Sequence, residues 1–60
     1  MTKEQRLLKK ARHNLELAVI LINEALAEEM PENKIWLAEE DCLEALKYIN
    51  RFLRLKKYGT

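Results

Sequence analysis

Residues 24–38, EALAEEMPENKIWLA, decide the fold. They hold Pro31, the only proline in the 60-residue chain. Proline has no N–H to give a helix, and it biases the preceding residue, here Met30, away from helical geometry. It sits comfortably in the first turn of a new helix. Asn33 is an alternative cap for that helix. A tight turn at 29–33 is therefore expected, with one helix ending before it and another starting after it.

Upstream, apolar residues recur at Leu8, Ala11, Leu15, Ala18, Ile22 and Ala25. Alternating steps of three and four keep them on one helical stripe, which Val19 and Leu26 widen. Thr2 and Gln5 have capping-box spacing, so hydroxyl and amide can each satisfy a free backbone N–H. Downstream the pattern repeats at Ile35, Ala38, Cys42, Ala45, Ile49 and Phe52, widened by Leu46 and Leu53. Gly59 is a natural stop. The spacing predicts one domain over 1–60, with helix 1 at about 3–29 and helix 2 at about 32–57. A short connection makes consecutive helices antiparallel neighbours. The fold class is all-α, an antiparallel two-helix hairpin. The alanines on both stripes alternate with larger residues, a pattern that lets layers interdigitate.

A chain this short is marginal alone. Unfolded it exposes roughly 10,000 Å², and a compact fold of its mass about 4,000 Å². If about 60% of the difference is apolar, burial contributes on the order of 90 kcal/mol. Ordering the chain costs about the same. Association is the expected remedy, giving a homodimeric four-helix bundle or a higher oligomer. Leu17, Ile20, Trp36 and Leu43 lie off the two stripes and imply further buried surface. The residues expected at the oligomer interface are Leu15, Leu17, Ala18, Ile20, Ile22, Trp36, Cys42, Leu43 and Ile49. A partner of a different kind would use Trp36, Leu43, Leu17 and Ile20.

The net charge is only +1, yet its distribution is lopsided. Lys3, Arg6, Lys9, Lys10 and Arg12 begin helix 1, and Lys47, Arg51, Arg54, Lys56 and Lys57 end helix 2. An antiparallel hairpin gathers them at its open end. Acidic residues collect toward the turn. Two hairpins with their ends reversed would set basic ends against acidic ends. Alternatively the open end holds RNA or DNA, with Lys9, Lys10, Arg12, Arg51 and Arg54 as phosphate contacts. Tyr48, Phe52 and Tyr58 are the aromatic residues available for stacking.

Enzyme chemistry is not expected. His13 lies among Lys9, Lys10 and Arg12, and its nearest acidic partner is Glu16, one turn on. The order His13-x-x-Glu16 reverses the Glu-x-x-His metal motif of helical bundles. Glu39, Glu40, Asp41 and Glu44 read as a solvated acidic face. Cys42 has Asp41 and Glu44 as neighbours, which oppose a thiolate, and its stripe position makes it a small packing residue. No catalytic residue, metal site or cofactor is expected. One cysteine allows no intrachain disulfide, which suits a reducing cytoplasm. The opening Met-Thr-Lys-Glu lacks a signal peptide's apolar core. The longest apolar stretch, Leu15 to Ile22, is interrupted by Glu16 and is too short for a bilayer.

The opening Met1-Thr2-Lys3, the Ala11-Arg12 pair, the layered small and large residues, and Cys42 within helix 2 resemble the Rop family of small plasmid proteins. In that family two hairpins form an antiparallel four-helix bundle that binds paired RNA loops. The resemblance implies the same assembly and RNA as a partner. The family uses polar and aromatic residues along the helix 1 face, where this chain has Leu17 and Ile20, so no site residue is carried over. Ala11-Arg12-His13 and Leu37-Ala38-Glu39-Glu40 are similar to segments in the helical domain of tRNA-modification GTPases. This sequence contains neither that family's GTPase domain nor its cysteine-containing tail. The expected function is a self-associating structural or interaction module, with the RNA- or DNA-binding dimer as the alternative.

Overall fold

The computed structural model describes residues 2–28 and 32–58, with Tyr58 described by its backbone alone. They form an antiparallel hairpin of two helices, α1 (Lys3–Ala27) and α2 (Glu32–Tyr58). The start of α1 is the expected capping box. The Gln5 N–H donates to the Thr2 hydroxyl and the Thr2 N–H donates to the Gln5 side-chain oxygen, each at 3.1 Å. Two of the free donors of the first turn are thereby satisfied.

Helix α1 ends two residues earlier than the periodicity predicts. Glu28 turns extended, with φ −111° and ψ 155°, and its N–H closes back onto the Ala25 carbonyl at 3.1 Å. That shorter closure breaks the helical ladder. Asn33, an expected candidate cap, is instead a helical residue, because α2 already begins at Glu32. Residues 29–31 of the expected turn, and Gly59, lie outside the described residues.

The two helices meet along a seam of small side chains. Leu7, Ala11, Ala18 and Ala25 from α1 and Ala38 and Ala45 from α2 form the buried set among the described residues. Ala45 is 1% exposed and Ala18 2%. Methyl side chains on both sides let the backbones approach closely, and interaxial distance follows side-chain size at the contact. The predicted single stripe therefore splits in two. Its alanines go into the seam, while Leu8, Leu15, Ile22, Ile35, Leu46 and Leu53 stay exposed beside it. Leu7, which the periodic pattern did not include, closes the seam at the open end.

The Cα atoms fill a slab of 49 × 18 × 10 Å. A slab one helix thick has no interior beyond the contact line, so large side chains flanking the seam remain at the surface. The chain exposes 5013 Å², against about 4,100 Å² for a compact protein of this mass.

Candidate functional site: an apolar face and a basic groove

Side-chain contacts across the seam set the register. Glu4 lies level with Lys56, Lys10 with Tyr48, and Glu24 with Lys34. They also identify the two broad faces of the slab. Glu4 belongs to the helical row that continues through Leu8, Leu15, Val19, Ile22 and Leu26. It pairs at 3.2 Å with Lys56, which follows the α2 row of Ile35, Cys42, Leu46, Ile49 and Leu53. The two rows therefore flank the seam on the same face. Cys42 and Ile49 are half-buried there, and most of the larger residues are exposed, up to 80% for Leu26. This face is apolar over most of the hairpin's length.

The opposite face carries the cross-seam polar contacts, with exposed Leu17 and Leu37 among them. Near the turn, Lys34 reaches across from α2 to both Glu28 and Glu24. The hydrogen bond to Glu28 is the largest influence and raises the pKa of its ammonium; loss of hydration opposes it, and the hydrogen bond to Glu24 with the two negative charges leaves the net shift above the usual lysine range. At mid-length, Tyr48 carries two cations against its ring, with Lys10 Nζ 5.6 Å and Arg51 Cζ 5.7 Å from the centroid. Toward the open end lies a depression of about 740 Å³ between the helices. Lys3, Arg6, Lys10, Arg51 and Arg54 surround it, and Leu7 and Leu55 form its floor. A smaller recess adjoins it beyond Lys10, lined by Lys9, His13, Asn14 and Tyr48.

The sequence-predicted residues are distributed across these surfaces. Of the interface set, Leu15, Ile22, Cys42 and Ile49 lie on the apolar face. Ala18 is spent inside the hairpin seam and is not accessible to a partner. Leu17, Ile20, Trp36 and Leu43 are exposed, but their helical positions place them off the apolar face; Trp36 is 63% exposed. Of the basic set, Lys10, Arg51 and Arg54 converge on the groove, and Lys9 lines the adjoining recess. Arg12 points elsewhere and pairs with Glu16 on its own helix at 3.7 Å. Lys3 and Arg6 were missing from the predicted set. Their spacing held the signal, because Lys3, Arg6 and Lys10 follow one another by three and four residues and so form one row.

Among the described residues no group of three or more His, Cys, Asp or Glu side chains is arranged to hold a metal ion. No described helix is long and apolar enough to cross a membrane. Neither family models, curated proteins nor solved structures give a match to this chain.

Proposed function

We propose that the protein is a non-enzymatic self-association module, in which the apolar face of one hairpin packs on that of a second copy to make a four-helix bundle. The observation that carries this reading is the exposure of thirteen large apolar side chains among the described residues, eight of them aligned on one face. Monomeric proteins rarely leave contiguous apolar patches of that extent open. The area supports it too. The surface in excess of a compact fold is roughly 900 Å², close to what each partner contributes to a standard interface.

Charge selects the orientation. Take residues 1–15 and 45–60 as the open half and 16–44 as the turn half. Lys34 is the one basic residue in the turn half, and Glu4 the one acidic residue in the open half. Ten of 11 cations and nine of 10 carboxylates are thus segregated by half. Copies with turns at the same end would stack like charge on like charge. Copies with ends reversed place each basic half on an acidic half, which is the favourable field. Helix α1 then packs antiparallel on the partner's α1, and α2 on the partner's α2.

Distances between identical spin labels test this arrangement. The label is placed at Lys57→Cys in a Cys42→Ala background. Reversed ends predict a separation of about 40 Å, the length of a helix of this size at its ordinary rise. A separation under about 25 Å would mean that the turns lie at the same end, since α2 is long enough to separate labels at opposite ends. Absence of any intermolecular distance at concentrations where the chain is folded would remove the self-association reading itself.

A further inference from the structure

We infer that the basic groove on the face opposite the apolar one binds single-stranded nucleic acid through its phosphates. Five cations, Lys3, Arg6, Lys10, Arg51 and Arg54, ring one open depression. Four of the cations outside the groove are paired with carboxylates. Arg12 has Glu16, Lys34 has Glu24 and Glu28, Lys47 has Glu44, and Lys56 has Glu4. None of the five groove cations has a carboxylate partner among the described residues. The fold therefore holds five like charges together without internal compensation. Multivalent anions relieve such a field, and counterion release drives their binding.

The shape and lining favour a nucleic-acid strand. The cations stand in two facing rows on antiparallel helices, spaced by about one helical turn along α1, so they follow a linear run of phosphates. The floor between them is leucine, which suits the apolar faces of sugars and bases and offers nothing to a bare polyphosphate. Tyr48 fixes the inner end of the groove by holding both Lys10 and Arg51. Preorganised cations lose less freedom on binding than free ones. The track continues past Lys10 into the recess bearing Lys9 and His13. The concave form fits a strand better than the flat plane of a membrane surface. The groove faces away from the apolar face, so binding does not depend on the self-association reading, and each copy in a bundle keeps its own site open.

The test is fluorescence anisotropy with a labelled twelve-nucleotide oligothymidine and oligouridine, at 50 to 200 mM salt. Two variants of equal charge are compared with the full chain, with helicity and sedimentation mass measured alongside. One carries Arg6→Gln, Lys10→Gln, Arg51→Gln and Arg54→Gln; the other carries Arg12→Gln, Lys47→Gln, Lys56→Gln and Lys57→Gln. Five phosphate contacts predict that the unmodified chain weakens about 130-fold over this salt range, that the groove variant binds at least about tenfold more weakly with a flatter salt response, and that the control variant stays within about threefold. Equal losses in both variants would mean diffuse charge rather than a site, and overturn the inference. So would no binding by the unmodified chain at 50 mM salt, or tighter binding to phosphatidylserine vesicles or polyphosphate than to either oligonucleotide. A change in mass without a change in binding would bear on self-association alone.

Discussion

Glu4 and Lys56 pair at 3.2 Å across the open end of the hairpin, joining the first turn of α1 to the last turn of α2. Glu4 is the one carboxylate in a half of the molecule otherwise crowded with cations. Its place near the N-terminus of α1 also suits the helix dipole. Both side chains are partly exposed, so the pair is worth little energy. A double-mutant cycle with Glu4→Gln and Lys56→Gln should give a coupling of about 0.2–1 kcal/mol that fades as salt rises. Coupling unchanged by salt would contradict this account of the pair.

The alanine seam leaves no room for larger side chains. Replacing Ala45 with leucine should force the helices apart and cost about 1–3 kcal/mol in urea unfolding, although leucine is the more apolar residue. The same change at exposed Asn50 should shift stability by less than about 0.5 kcal/mol. Stabilisation by Ala45→Leu would indicate a looser seam than the 1% exposure of Ala45 implies.

The two sets of exposed apolar residues should behave differently. Ile22→Lys with Leu46→Lys puts charge into the centre of the proposed contact and should dissociate the assembly. Leu17→Lys with Ile20→Lys lies off that face and should leave the mass unchanged. Analytical ultracentrifugation separates the cases. Dissociation by the second pair but not the first would place the interface on the other side of the hairpin.

Lys34 ties the turn-side ends of the helices through Glu24 and Glu28. Its raised folded-state pKa means the contact stabilises the fold fully below the unfolded value of about 10.4, and the contribution is lost as pH rises through the folded value. Lys34→Met should therefore melt below the unmodified chain at pH 7, and the gap should shrink in strongly alkaline solution. A gap that widens above pH 10.4 would reverse the sign of the linkage.

The hairpin was legible because each feature that specifies it is local. Thr2 and Gln5 cap α1 without help from elsewhere, Pro31 separates two periodic runs, and steps of three and four define a face. The division of labour within that face was not legible. Ala18 and Ile22 fall on the same sequence stripe, and only the close approach of α2 decides that the alanine is buried while the isoleucine stays out. The basic groove was half legible for a similar reason. Lys10, Arg51 and Arg54 were evident as charges near one end, but the choice of Lys3 and Arg6 over Arg12 depends on rotation about the helix axis. Arg12 sits two residues from Lys10 and hence on another side of α1.

Sedimentation equilibrium of the unmodified chain, at low and at high salt, tests self-association most directly. A mass of twice 7.1 kDa or a larger multiple is expected at both salts, because apolar burial supplies the affinity and charge mainly the orientation. A folded, helical species at 7.1 kDa across the accessible concentration range would contradict it, since the apolar face would then stand open in water.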